Sequence, residues 1–188
     1  CGLSFPIAKR SFYPIMVAEK QICILRATIR GEPGHGSLRI KGSATARLAR
    51  VLARLERRQL PVHVTPVIKE MFQRVSTGLP FPASLVFRQL MRNSTAGLAT
   101  RAMGDKGLLF SQLLRNTANP TMLRGREQIN VMPSEIALGL DGRLLPGYLP
   151  GDLIDELKEI IGEDISPFDL ADFEEQMPKG ENYMNKNK

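Results

Sequence analysis

The segment Val17 to Arg30 constrains this chain most. Cys23, Leu25, Ala27 and Ile29 alternate with Arg26, Thr28 and Arg30, the period-two pattern of a strand with one buried and one solvated face. It runs into Gly31-Glu32-Pro33-Gly34-His35-Gly36-Ser37. So much glycine and proline specifies a loop with unusual backbone angles. A helix is expected from about Ser43 to Arg58, with Ser43 as its N-cap. Ala44, Leu48, Val51, Leu52 and Leu55 form one stripe, and Arg47, Arg50, Arg54, Arg57 and Arg58 lie mostly opposite.

From about residue 61 to 115 the texture changes. Apolar helical stretches (Val67 to Val75, Ser84 to Met91, Lys106 to Leu114) are broken by Pro80, Pro82 and Gly97, which reads as a helical insertion. Its Met, Phe and Leu residues read as core or interface. Strand texture returns at Pro120 to Leu123. After Arg124-Gly125-Arg126 a longer strand is expected from Ile129 through Leu140, and Asp141-Gly142 is locally a hairpin signal. A second helix is expected from about Asp152 to Ile161, with Asp152 as N-cap and Gly162 at the C-cap position. Without the insertion, the order is strand, helix, strand, strand, helix. One more strand, for which Asp164 to Phe173 is the only candidate, completes an α+β fold. That fold is a ferredoxin-like split βαβ sandwich: a four-stranded antiparallel sheet with two helices on one face. The domain is expected over 17–175, with 1–16 as a residual linker and 176–188 as a flexible tail. The start at Cys1 reads as a piece of something longer.

Composition narrows the chemistry. The only cysteines and histidines among 188 residues are Cys1, Cys23, His35 and His63, too scattered for a zinc finger or a disulfide scaffold. This chain is therefore expected to hold no metal, and Cys23 reads as a small core hydrophobe. No apolar run approaches the roughly 20 residues of a membrane span, and no signal peptide is visible. Two cysteines without a framework fit a reducing cytoplasm. The net charge of +7 and the arginine face of the first helix raise nucleic acid as a partner. Ferredoxin-like RNA binders stack bases on sheet aromatics, and aromatics are 6% here with none at the expected strand positions. A solvated helix face is the plainer reading.

His35 is the best single candidate for chemistry. It sits between two glycines, after a strand and before a helix. An imidazole there can donate to a developing oxyanion or move a proton. The alternative is a loop histidine bonded to a neighbouring carbonyl. His63, in Leu60-Pro61-Val62-His63, has no polar company in the sequence and reads as structural. No P-loop, dinucleotide fingerprint or Ser-His-Asp arrangement is present.

Three segments in order resemble the zinc-dependent aminoacylases and exopeptidases of metallopeptidase family twenty, which includes carboxypeptidase G, carboxypeptidase S and succinyl-diaminopimelate desuccinylase. They are Val17-Ala18-Glu19-Lys20 with Arg30 to Ser37, Asn116-Thr117-Ala118-Asn119-Pro120-Thr121 with Asn130 to Ser134, and Leu140-Asp141-Gly142-Arg143-Leu144-Leu145-Pro146-Gly147. The likeness covers roughly residues 10 to 163, and the insertion with Phe12-Tyr13-Pro14 is most similar to the carboxypeptidase S-like branch. It implies the lid, or dimerisation, domain of such an enzyme, with the catalytic domain and its two zinc ions outside this chain and the isolated chain inactive. It also implies a homodimer acting on a peptide or N-acyl amino acid. His35 would cross the dimer to stabilise the oxyanion at the partner's site, Asn130 would bond the substrate, and Arg143 would bind its carboxylate. It further implies that Asp141-Gly142 lies within or at the end of one continuous strand rather than in a hairpin turn. A freestanding dimerising interaction module and a basic nucleic-acid binder are the alternatives.

Overall fold

The computed structural model describes residues 4–162 except Ala8 and Glu127. The strand expected over Asp164 to Phe173 and the tail at 176–188 lie outside the described residues. In chain order the elements are β1 (Phe5–Ile7), β2 (Arg10–Phe12), β3 (Gln21–Arg30), β4 (Gly34–His35), α1 (Ala44–Arg57), α2 (Pro66–Thr77), α3 (Ala83–Gln89), α4 (Asn93–Ala102), α5 (Asp105–Leu113), β5 (Thr117–Arg124), β6 (Val131–Met132), β7 (Glu135–Leu144) and α6 (Pro150–Ile161). They form two compact units. Among the described residues, a sheet unit holds Cys23–Gln59, Ala118–Gly142 and residues 157–162. A helical unit holds the described residues from Ser4 to Ile22, with Leu60–Thr117 and Arg143–Glu156.

In the sheet unit, β7 is the centre of a three-stranded sheet of order β3-β7-β5. Burial alternates along β3, with Cys23, Leu25, Ala27 and Ile29 buried, and along β7, with Ile136, Leu138 and Leu140 buried. One face of the sheet is core and the other is open, as the alternation predicts. Ala44, Leu48 and Val51 of α1 and Leu157, Ile160 and Ile161 of α6 supply the remaining apolar core of this unit. The α1 N-cap is Ser43, whose Oγ accepts from the Ala46 amide at 3.3 Å. At the far end of the unit Arg54 donates to the Ile161 carbonyl, and Gly162 takes φ +70, the left-handed stop that favours glycine. Cys23 is buried and free, and burial pushes its thiol pKa up.

Four local expectations are corrected. The first strand starts at Gln21, and Val17 to Lys20 stay outside any ladder. The strand expected from Ile129 through Leu140 is two strands, β6 and β7, separated at Pro133 and Ser134, where proline has no N–H for a ladder. Asp141-Gly142 makes no hairpin and lies inside β7, because Gly142 continues the buried alternation that ends at Leu144. Asp152 is not the N-cap of α6. The helix begins at Pro150, and Asp152 reaches back to accept from the Leu149 amide at 2.8 Å, the third-position half of a capping box.

The helical unit is built differently. Phe72, Leu79, Phe87, Leu90, Ala96, Ala99 and Leu114 form its core. Phe72, Phe87 and Phe110 meet pairwise edge to face, with centroids 5.4 to 5.9 Å apart, a geometry favoured by the ring quadrupole. Helix α4 has no counterpart in the sequence reading. Gly107 explains how tightly α5 follows it: a Cβ there would stand 1.8 Å from the Thr100 carbonyl oxygen. Residues 1–16 include the antiparallel hairpin β1-β2, with Phe5 opposite Phe12. Phe12 and Ile7 pack on the aromatic core, and Arg10 donates to the Gly78 carbonyl at 2.6 Å.

Candidate functional site

The glycine loop after β3 is held at several points. The Gly31 amide donates to Ser134 O at 2.8 Å, the Glu32 amide to Gly42 O at 3.3 Å, and the Gly36 amide to Asn130 O at 2.7 Å. Between these tethers β4 pairs antiparallel with β6, Gly34 opposite Met132 and His35 opposite Val131. Gly31 is required by close approach, since a Cβ would lie 2.0 Å from the Ala44 amide nitrogen where α1 begins. The fold thus brings His35 and Asn130 together at one exposed edge of the sheet unit.

The imidazole of His35 has a defined polarity. Its Nδ1 accepts from the Ser37 amide at 3.3 Å and lies 2.9 Å from Ser37 Oγ. An Nδ1 that accepts leaves the proton of the neutral ring on Nε2. His35 therefore offers an Nε2–H donor, the form that an oxyanion needs. Arg143 is half-buried on β7, on the face shared by Glu135, Ala137, Gly139 and Asp141. It belongs to the helical unit, so the structure groups two of the three expected site residues, and Arg143 stands with the other unit.

Sequence reasoning missed a second polar constellation, within the helical unit. His63 Nε2 is 2.6 Å from Glu156 Oε1. Asn116 Nδ2 donates to both Glu156 oxygens, at 3.1 and 3.3 Å, while Asn116 Oδ1 accepts from the Leu145 amide at 2.9 Å. The His63 amide donates to Leu114 O at 2.7 Å. Asn116 and Glu156 are buried, and the ring of Tyr148 lies 4.5 Å from that of His63. Burial, and then the Glu156 and Asp152 carboxylates, push the Tyr148 pKa up. These groups satisfy one another, which is how buried polar side chains persist. In the same unit Lys20 Nζ donates to Arg115 O at 2.6 Å, and burial lowers its pKa to about 8. Burial, then the nearby Arg101 charge, lowers that of Arg115.

Among the described residues no group of three or more His, Cys, Asp and Glu could hold a metal ion. Among those residues no helix is long and apolar enough to cross a membrane.

Residues 17–168 match the model of the peptidase dimerisation domain, and the chain belongs to that family, found in the M20 metallopeptidases. Over 174 residues it is 24% identical to the N-fatty-acyl-amino acid synthase/hydrolase PM20D1 of Bos taurus, covering 92% of this chain and 34% of the relative. Over 166 residues it is 26% identical to the probable carboxypeptidase S-like 2 of Dictyostelium discoideum, covering 87% of this chain and 30% of the relative. The chain thus spans about a third of the length of these curated relatives. Among solved structures, human carnosine dipeptidase 1 superposes with a TM-score of 0.43 at 13% identity, over 77% of this chain and 33% of that one.

Proposed function

We propose that this chain is the dimerisation and lid domain of a metal-dependent exopeptidase or N-acyl amino acid amidohydrolase. It completes as a homodimer a ferredoxin-like, four-stranded sheet domain with a helical insertion. In this reading His35 serves the partner subunit's site, and the zinc ions belong to a catalytic domain outside the described residues. The observation that carries the reading is the pinned pair: His35, its Nε2–H available, beside Asn130 across the Gly36 to Asn130 hydrogen bond.

The chain's own residues have distinct tasks. The His35 Nε2–H donates to the oxygen that gains charge as an amide carbonyl becomes tetrahedral. Because the loop is tethered, the donor needs little reorganisation when that charge appears. Asn130 bonds the substrate beside it. Arg143 presents a planar fork suited to a carboxylate. The relatives are named for N-fatty-acyl-amino acids and for carboxypeptidase action, and a carboxylate on the amino acid is what Arg143 would hold.

The experiment uses the intact enzyme containing this domain. His35→Ala should lower kcat by about 10²–10³-fold, the scale of one oxyanion donor, with KM nearly unchanged. Arg143→Ala should instead raise KM for substrates with a free carboxylate. Mixed dimers of a His35→Ala subunit and a metal-site-deficient subunit should regain activity, because one composite site is then intact. Full turnover by the His35→Ala enzyme, or no recovery in mixed dimers, removes the cross-subunit role.

A further inference from the structure

The turn that presents His35 also carries Ser37. His35 to Leu38 form a β-turn, closed by the Leu38 amide donating to the His35 carbonyl at 2.9 Å. Gly36 and Ser37 are its central residues. Serine suits such a place because its short hydroxyl reaches polar groups within the same turn. Here both polar groups of Ser37 fold back onto one atom. Its amide donates to His35 Nδ1 at 3.3 Å, and its Oγ lies 2.9 Å from the same nitrogen. The turn does not need the hydroxyl to keep its shape. Backbone bonds hold it: the one from Leu38, and the Gly36 amide to Asn130 O at 2.7 Å.

The two donors are not equivalent. A hydroxyl can donate or accept, so Oγ alone would serve either tautomer of a neutral imidazole. An amide only donates. With a proton on Nδ1, two hydrogens would face each other, so the turn disfavours that tautomer. Once the amide fixes the direction, the hydroxyl donates too and makes the shorter of the two bonds. Both bonds are exposed, so water competes for the nitrogen. A second donor from the same residue weights that competition toward the turn. It also restricts rotation of the ring, which sets where Nε2 points. A hydroxyl beside an imidazole is equally the start of a nucleophile and base pair. That role requires the Nδ1 lone pair to take the serine proton, and the Ser37 amide already engages that lone pair.

We infer that Ser37 is the positioning residue of His35: its hydroxyl, with its amide, keeps the imidazole in the Nε2–H form and aims that donor out of the turn. The effect on catalysis rests on the role proposed above for His35, and the tautomer does not. The first test therefore reads the whole chain by nitrogen-15 NMR of its two imidazoles, His35 and His63, above the pH range in which they titrate. His35 should show a bare Nδ1 and a protonated Nε2. Ser37→Ala should raise its Nδ1–H fraction about fivefold, the scale of one exposed hydrogen bond. Ser37→Thr, which keeps a hydroxyl, should restore the wild-type ratio, and the His63 signals should stay the same in all three. In the intact enzyme Ser37→Ala should lower kcat about fivefold with KM unchanged, and Ser37→Thr should recover it. A proton on Nδ1 in the wild type, or an unchanged tautomer ratio in Ser37→Ala, would overturn the inference. So would full kcat in Ser37→Ala beside a large loss in His35→Ala, or acylation of Ser37 by a nitrophenyl ester. Full kcat in His35→Ala, with the tautomer shift still seen in Ser37→Ala, would remove the role of His35 in catalysis and leave Ser37 as the residue that orients it.

Discussion

The two units solve the burial problem in opposite ways. The sheet unit hides one face of alternating strands under helix stripes, and among its described residues the only buried polar side chain is that of Ser43, an N-cap. The helical unit packs four short helices around three phenylalanine rings, and it buries Thr65, Ser76, Thr100, Ser111, Asn116 and Glu156. A long periodic element brings its own pattern and needs few polar contacts. Short helices leave more backbone ends and turns near the core, and polar side chains must answer them. Thr65 and Ser76 do so directly: Thr65 Oγ1 caps α2 by accepting from the Ile68 amide at 3.4 Å, and Ser76 Oγ donates to Gln73 O at 2.8 Å.

The largest test of this contrast is Phe72→Ala. Its ring is fully buried against Phe87 and Phe110, so truncation should cost about 3–5 kcal/mol. Hydrogen exchange should show the loss in α2 to α5. Equal loss of protection along β3 and β7 would mean that the two units are not separately held. Next comes Glu156→Ala, which leaves His63 and Asn116 without their shared acceptor. About 3 kcal/mol is expected from removing one partner of a buried pair, read in denaturant unfolding. Glu156→Gln keeps an acceptor and should cost less, and a double-mutant cycle with His63→Ala should give a coupling of about 1–3 kcal/mol. Additivity would show that the cluster is no network. In the sheet unit the corresponding polar change, Ser43→Ala, should cost only about 1 kcal/mol.

The smallest effect is one of pH. Lys20 has a pKa of about 8 in the folded chain against 10.5 for the free side chain. Between those values the unfolded chain holds a proton on this amine that the folded chain has released. Stability therefore gains from Lys20 as pH rises from about 8 toward 10.5, and the burial penalty is fully present below that window. Lys20→Met should flatten this part of the stability profile relative to wild type. An identical slope in both proteins would show that the amine is solvated when folded.

How far the sequence was legible divides along the same line. The reading of β3, α1 with its Ser43 cap, and the α6 stripe rested on periodicity, and periodicity survives because one face of each element is buried. The proximity of His35 to Asn130 was available through the family likeness, since nothing local links residues that far apart. Helix α4 was missed because Asn93-Ser94-Thr95-Ala96-Gly97 is short on apolar spacing and carries a helix-weakening glycine. His63 looked solitary because its partner Glu156 is 93 residues away. At the start of α6 two signals compete: Asp152 has the chemistry of a cap, but Pro150 marks the first helical turn and the helix begins there.

The tethers at Gly31 and Gly36 carry one more consequence. A side chain on a loose loop spends most of its time elsewhere, and each encounter must first recapture it. The His35 loop is stitched to residues 130 and 134 by amide hydrogen bonds on both sides of the imidazole, so in the role proposed above the conformation that acts is the one these tethers already hold. Under that proposal, a substitution that loosened this loop would reduce the fraction of molecules ready to act while leaving the chemistry of those molecules intact.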